Sequence, residues 1–170
     1  GGSIAHADPA AELPACLVAL DAVIEARSAV GSRRIPAADF FLGMFATALE
    51  PGEIVAAVEV PLIAKGRRHA VRELARRSGD YAIAGLALSG APRDGAIADP
   101  RAVFFGVGNG PVRARKAEAA LAAGDIDAAA AALDADLDPP ADLQGSPAFK
   151  RQLARTLLRR TANEMMEERL

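Results

Sequence analysis

Short stretches in which apolar and polar residues alternate predict β-strands in the first third of the chain. Val23, Glu25 and Arg27 belong to one such stretch, whose pattern is typical of a strand with one buried face. Pro36 ends the second stretch, which favours a position at the edge of a sheet. The predicted strands cover residues 22–29, 33–36 and 53–60.

Two helices are predicted in the same part of the chain. Asp8 and Pro9 mark the start of the first, because aspartate is a good N-cap and proline suits the first helical position. This helix is expected to run to about residue 19, with Leu13 and Leu17 on its apolar face. The second helix is short and covers residues 37–42.

A polar turn at residues 66–68 is followed by a run of strands and then a run of helices. The predicted strands cover residues 69–76, 82–89 and 102–107, and turn residues between them indicate an antiparallel meander. The predicted helices cover residues 112–122, residues 127–133 and a long segment that Ser146 and Pro147 begin. This order predicts an α+β fold with a three-stranded antiparallel sheet and about three helices on one face, and a domain boundary between residues 1–65 and 66–170.

Composition and charge limit the functions that such a fold can have. The 170 residues include 20 basic and 22 acidic side chains, so the net charge of -2 gives no electrostatic reason to expect nucleic acid as a partner. The apolar runs fall well short of the roughly 20 residues that a membrane-spanning helix needs. Cys16 is the single cysteine, which suits a reducing compartment, and we expect a cytoplasmic location.

Motifs for metal binding and for acyl transfer are absent from the sequence. His6 and His69 are far apart and lack carboxylates at a ligand spacing, so no metal site is predicted. No serine stands in the G-x-S-x-G pattern of a nucleophile elbow. Residues 106–111 resemble a phosphate-binding loop, but Pro111 stands where the dinucleotide fingerprint needs glycine, which favours a plain turn.

Two segments have the residues of a ligand-binding loop. In residues 1–9 the glycines allow a ligand to approach the backbone closely, and Asp8 suits either a helix cap or a ribose hydroxyl. In residues 76–81 the aromatic ring of Tyr81 could lie against a planar ligand at the tip of a hairpin. A plain glycine loop or a linker remnant remains the alternative for the first segment, and a charged hairpin for the second.

Read in order, four segments resemble the FAD-binding medium subunit of molybdenum hydroxylases, the family of aerobic carbon monoxide dehydrogenase and xanthine dehydrogenase. The segments are residues 1–14, 53–61, 76–84 and 106–121, and the resemblance covers nearly the whole chain. It implies the second half of a PCMH-type FAD-binding domain, followed by a CO dehydrogenase flavoprotein-like C-terminal domain. It also implies an FAD-dependent oxidoreductase subunit without a catalytic acid or base of its own.

The same resemblance implies which residues contact FAD. Glycines and a serine at the start of the chain form a flavin-contacting loop, and a histidine and an aspartate that follow touch the pyrophosphate or ribose. The family usually has aspartate at the position of Glu12, and several relatives have lysine at the position of Glu73. Val55 is an apolar contact and Tyr81 covers the isoalloxazine ring. The implied set is Gly1, Gly2, Ser3, His6, Asp8, Glu12, Val55, Glu73 and Tyr81.

The resemblance further implies partners. A large subunit would hold molybdopterin and a small subunit would hold 2Fe-2S clusters, in a dimer of heterotrimers, with electrons passing from the clusters via FAD to an external acceptor. The family's other glycine-rich loop lies upstream of Gly1, so we expect an N-terminally truncated piece that by itself binds FAD weakly or not at all. The alternative is a non-catalytic interaction module that has lost the flavin, which Glu12 and Glu73 would suit.

Overall fold

The computed structural model describes residues 1–167. The first part of the chain contains α1 (Gly2–His6), α2 (Glu12–Ala19), β1 (Val23–Ser28), β2 (Gly31–Pro36), α3 (Ala37–Phe40), β3 (Phe41–Gly43), β4 (Ala46–Thr47) and β5 (Ile54–Glu59). The second part contains β6 (Arg68–Leu74), β7 (Ala84–Arg93), β8 (Ala96–Phe105), β9 (Val112–Arg113), α4 (Arg115–Ala122), α5 (Ile126–Asp136) and α6 (Pro147–Met166). Within residues 1–167, none of the helices combines the length and the hydropathy that crossing a bilayer requires.

The strands form two main antiparallel sheets, and the predicted α+β fold is confirmed. The first sheet has the order β2-β1-β5, and the short β3 and β4 pair with each other beside it. The second sheet is an antiparallel meander as predicted, but it has four strands instead of three, in the order β6-β7-β8-β9. The last helix begins as predicted, because the Ser146 side chain accepts a hydrogen bond from the backbone N–H of Phe149.

The fourth strand of the second sheet replaces the predicted start of a helix. Val112 pairs with Phe104 in β9, and α4 begins only at Arg115. Val112 is β-branched, which favours an extended backbone, and its pairing with Phe104 prevails over the helix start that Pro111 would also suit. The prediction of a helix from residue 112 was therefore wrong by three residues.

The helix predicted over residues 8–19 begins only at Glu12, and a loop separates it from an additional short helix, α1, which ends before residue 8. Ala7 adopts a left-handed backbone with φ of 52°, which ends α1. The carboxylate of Asp8 accepts a hydrogen bond from the backbone N–H of Ala10 at 2.9 Å, so it closes a local turn instead of capping a helix. The second helix starts at Glu12. Residues 7–11 are consequently a loop, which becomes part of the candidate site.

Both faces of the second sheet are buried, although the sequence predicted helices on one face alone. Alternate residues of β7 and β8 pack against α4, α5 and α6; they include Leu86, Leu88, Ala102 and Phe104. The residues between them point to the opposite face, where Ala87, Val103 and Phe105 join the core around α2 and the first sheet. The first part of the chain therefore shares a hydrophobic core with the second sheet.

An ion pair joins β2 to the start of β5 in the first sheet. The guanidinium of Arg33 donates to both carboxylate oxygens of Glu53, at 2.7 Å each, and Glu53 also accepts from the backbone N–H of Glu50. The hydrogen bonds from Arg33 and from this backbone N–H lower the pKa of Glu53 from 4.5 to about 2. The carboxylate is thus ionised in the folded chain over a wider pH range than in the unfolded chain.

We expect Glu53 to make the stability of the protein depend on pH in acid. Because the folded-state pKa is depressed, its contribution is fully present above pH 4.5 and is lost as pH falls from 4.5 towards 2. Urea unfolding at pH 6 and pH 3 should show a smaller loss of unfolding free energy in Glu53→Gln than in the wild type. Glu59→Gln, which removes an exposed pair with Arg34, is the control and should lose as much as the wild type. Equal losses in Glu53→Gln and wild type would contradict the prediction.

Candidate functional site

The glycine residues at the start of the chain lie against the first sheet and are exposed. Gly1 precedes α1, and a Cβ atom on it would lie 3.5 Å from the carbonyl oxygen of Val55 in β5. A Cβ atom on Gly2 would meet nothing within 4 Å, and Ser3 is also exposed. The structure therefore brings together Gly1 and Val55, two residues that the family resemblance assigns to one site, and leaves the backbone at Gly2 open.

His6 contacts an aromatic residue that the sequence analysis did not single out. The rings of His6 and Phe45 lie 4.8 Å apart, centroid to centroid, at an angle of 42°. The backbone N–H of Phe45 donates to the carbonyl oxygen of Ala7, and Phe45 itself has a positive φ of 53°. Phe45 lies between the short strands β3 and β4, which are too short to leave an alternating pattern in the sequence.

Tyr81 lies between two clefts on the surface and is 65% exposed. One cleft of about 200 Å³ is lined by residues 10–12 and 79–82, which include Glu12. The other, of about 190 Å³, is lined by Asp8, Met44, Phe45 and Tyr81, together with residues from the end of β8 and the start of α6. Tyr81 stands in the loop between β6 and β7, whose ends are closed by a hydrogen bond from the N–H of Ile83 to the carbonyl oxygen of Leu74. Three predicted site residues thus lie close together: Glu12 lines the first cleft, Asp8 lines the second, and Tyr81 lines both.

Glu73 of β6 lies near Glu12. Burial raises the pKa of the Glu73 carboxyl above its usual value, and the negative charge of Glu12 raises it further. Burial, and then the same charge, also raise the pKa of the Cys16 thiol on the neighbouring turn of α2. An ionised carboxylate only accepts hydrogen bonds, whereas a protonated one can also donate. Glu73 therefore becomes a donor more readily than an ordinary glutamate.

The chemistry of these side chains can be compared with the parts of FAD, which the sequence resemblance implies. The carboxylates of Asp8, Glu12 and Glu73 can accept hydrogen bonds from the hydroxyl groups of ribose and ribitol, but they repel phosphate. The open backbone at residues 1–3 suits phosphate oxygens, because no side chain stands in the way at Gly1 or Gly2. The exposed ring of Tyr81 suits a planar ring system. The described residues therefore fit FAD.

A buried lysine at the second cleft was missed by the sequence analysis. Lys150 is 2% exposed, and its Nζ lies 2.5 Å from Oδ2 of Asp142. The neighbouring Phe149 is apolar but 46% exposed, and Lys150 lies on the buried face of the last helix instead. The available signal was the spacing, because Lys150 lies four residues before the buried Ala154 and eight before Leu158.

Comparison with known protein families covers both parts of the chain. Residues 1–63 match the family described as FAD binding domain in molybdopterin dehydrogenase. Residues 69–165 match the family described as CO dehydrogenase flavoprotein C-terminal domain.

Individual relatives give the same picture. The 6-hydroxypseudooxynicotine dehydrogenase complex subunit alpha of Paenarthrobacter nicotinovorans is 40% identical over 95% of this chain and 56% of its own length. The carbon monoxide dehydrogenase medium chain of Afipia carboxidovorans is 32% identical over 94% of this chain and 57% of its own length. The structure of reconstituted CO dehydrogenase from Oligotropha carboxidovorans superimposes with a TM-score of 0.90 at 31% identity, over 100% of this chain and 61% of that one. The chain thus spans a little over half the length of these relatives.

Proposed function

We propose a function that follows from the family of this chain, which belongs to the FAD-binding medium subunits of molybdenum hydroxylases. The chain is part of a subunit that passes electrons from iron–sulfur clusters via FAD to an external acceptor. The family predicted from the sequence is confirmed by the match of residues 69–165, and FAD is confirmed as the cofactor of the family that residues 1–63 match. The two matches also support a domain boundary near residues 65 and 66, which is part of the proposal.

The exposed ring of Tyr81 is the observation that carries the proposal. This tyrosine is 65% exposed and lines both clefts, so its ring contributes little to the hydrophobic core and is accessible to a ligand. A flat aromatic ring offers a large contact area to a planar ligand. The carboxylates of Asp8 and Glu12 lie at the same two clefts, where they can accept hydrogen bonds from sugar hydroxyl groups.

Each candidate residue has a distinct part in holding the cofactor. The backbone at Gly1–Ser3 would bind phosphate oxygens, and Asp8 and Glu12 would orient the sugar hydroxyl groups. Val55 would provide an apolar contact beside Gly1, and Tyr81 would cover the isoalloxazine ring. When bound, FAD supplies reversible reduction, while the protein supplies binding and orientation. No residue of this chain is required to act as an acid or a base.

The proposal includes the partners and the location. A large molybdopterin subunit and a small subunit with 2Fe-2S clusters would form a dimer of heterotrimers with the medium subunit, in the cytoplasm. The names of two relatives support a multi-subunit assembly, since one is a subunit of a dehydrogenase complex and the other a medium chain. A non-catalytic module without flavin is not favoured, because residues 1–63 match an FAD-binding domain.

The absorbance spectrum of the full-length subunit, purified with its partners, tests the proposal. We expect the bands of oxidised flavin, and FAD in the supernatant after the protein is denatured. The 170-residue chain is the comparison and should retain much less flavin, because it spans only a little over half the length of its relatives. An intact complex without flavin bands would show that the electron-transfer function is wrong.

A further inference from the structure

Gly106 connects three segments of the chain that meet beside Tyr81. Its backbone N–H donates to the carbonyl oxygen of Pro9 at 2.8 Å, which ties the end of β8 to the loop between α1 and α2. Its carbonyl oxygen lies 3.4 Å from Nζ of Lys150, near the start of α6. The loop that carries Asp8 is therefore joined to α6 through one residue.

The backbone around Gly106 leaves no room for a side chain at this position. Gly106 has a φ of +75°, and a Cβ atom there would lie 2.8 Å from the carbonyl oxygen of Ala82 and 3.0 Å from that of Ile83. These two residues directly follow Tyr81 in the chain. The backbone beyond Tyr81 thus packs on Gly106 from one side, while Pro9 and Lys150 hold it through hydrogen bonds.

Lys150 is buried and has a fixed ionic partner. Its side chain is 3% exposed, and that of Asp142 is 42% exposed. Burial raises the pKa of Asp142, but hydrogen bonds from Lys150 and from the backbone N–H groups of Gln144 and Gly145 outweigh this effect and lower the pKa overall. Burying an ammonium group is unfavourable unless it is paired and hydrogen-bonded, and removing one partner of a buried pair is strongly destabilising.

We propose that Lys150 is a positioning residue for the cofactor site, whose ammonium group holds Gly106 and thereby sets the loop of Asp8 against Tyr81. This inference rests on the proposed function for the identity of the cofactor. The effect of Lys150 on the position of Tyr81 is independent of the proposed function. Lys150 lies in the wall of the cleft that Asp8 and Tyr81 also line, so a change at Lys150 is transmitted over a short path.

Tyrosine spectroscopy tests the inference directly. Tyr81 is the single tyrosine of a chain without tryptophan, so tyrosine fluorescence and the tyrosine band of the near-ultraviolet circular dichroism of the 170-residue chain report on it alone. Lys150→Met should change the tyrosine emission yield and reduce the dichroic band. Lys150→Arg keeps the positive charge and should retain most of both wild-type signals. Arg159 lies on the same helix as Lys150 and forms an exposed pair with Asp127 of α5, so Arg159→Met should change neither signal.

Flavin retention by the full-length subunit is the second readout. We expect Lys150→Met to release FAD about tenfold more readily than the wild type, the order of loss typical when a supporting contact is removed from behind a binding residue. Lys150→Arg should retain FAD nearly as well as the wild type. Arg159→Met should not differ from the wild type at all.

An unchanged tyrosine signal together with unchanged flavin retention in Lys150→Met would overturn the inference. If Lys150→Met does not fold, Asp142→Asn decides, because it weakens the hold on Lys150 at a partly exposed position while preserving the shape. An unchanged tyrosine signal in folded Asp142→Asn would equally overturn it. A wild-type subunit that never holds flavin would contradict the proposed function alone, since the tyrosine signal still tests Lys150.

Discussion

Replacing Gly85 with alanine is expected to lower the unfolding free energy by about 3 kcal/mol, the upper end of the range for an overpacked core. Gly85 of β7 pairs with Phe105 of β8, and a Cβ atom on Gly85 would lie 2.0 Å from Cζ of the Phe105 ring. Phe105 is fully buried among residues of α2 and the first sheet, so its ring has no free space to move into. The absence of a side chain at Gly85 is therefore a condition for the shared core.

A double-mutant cycle isolates this contact. Urea unfolding is measured for the wild type, Gly85→Ala, Phe105→Leu and the double variant. Because leucine is shorter than phenylalanine, the double variant should be more stable than the sum of the single changes by about 1 kcal/mol or more. Gly43→Ala is the matched control, since a Cβ atom there meets nothing within 4 Å, and it should change stability by less than about 0.5 kcal/mol. Additive effects would show that the two residues do not compete for space.

Removing the ring of Tyr81 is expected to produce the largest functional loss. In the full-length subunit with its partners, Tyr81→Ala should weaken FAD retention or slow electron transfer by about tenfold, since an aromatic contact contributes roughly 0.5–1.5 kcal/mol beyond the area that it buries. The fold should survive, because the side chain is 65% exposed. Flavin content by absorbance and turnover with an artificial electron acceptor are the two measurements.

Tyr81→Phe is the control for this prediction. It keeps the ring and removes the hydroxyl group, so flavin content and turnover should stay close to those of the wild type. Unchanged flavin content and turnover in Tyr81→Ala would identify Tyr81 as a turn residue without a part in the site.

The candidate site lies where the two parts of the chain share a core. The helix α2 packs on the face of the second sheet that α4, α5 and α6 do not cover, and Glu12 begins this helix. Glu12 also acts on Glu73 of β6, which lies 61 positions further along the chain: burial raises the pKa of the Glu73 carboxyl, and the negative charge of Glu12 raises it further. A variant that loosens this core should therefore disturb the candidate site as well as the fold.

Elements with strong local signals were predicted well from the sequence. The strand β1 was predicted over residues 22–29 and observed over Val23–Ser28, because alternation of apolar and polar residues directly reflects a half-buried strand. The start of α6 was predicted from Ser146 and Pro147, because an N-cap and a proline in the first turn act within a few residues of each other. The family resemblance was based on short motifs, such as residues 1–14, which can be recognised without knowledge of the fold.

The same local signals misplaced elements where a more distant contact competes with them. Asp8 and Pro9 have the residue types of a helix start, but Gly106 at the end of β8 holds the carbonyl oxygen of Pro9 in a loop. Val112 follows a turn that would suit a helix, but pairing with Phe104 draws it into the sheet. In both cases the deciding partner comes from a strand whose position depends on the whole sheet.

By itself, the sequence determined the α+β class, the order of most elements and the family. Only the tertiary structure decided that Asp8, Glu12 and Tyr81 surround one region, that Phe45 contacts His6, and that Lys150 is buried against Asp142. The physical reason is the distance along the chain over which each kind of interaction acts. Caps and alternation depend on neighbours along the chain, whereas burial of a charge or the meeting of loops depends on packing between segments that lie tens of residues apart.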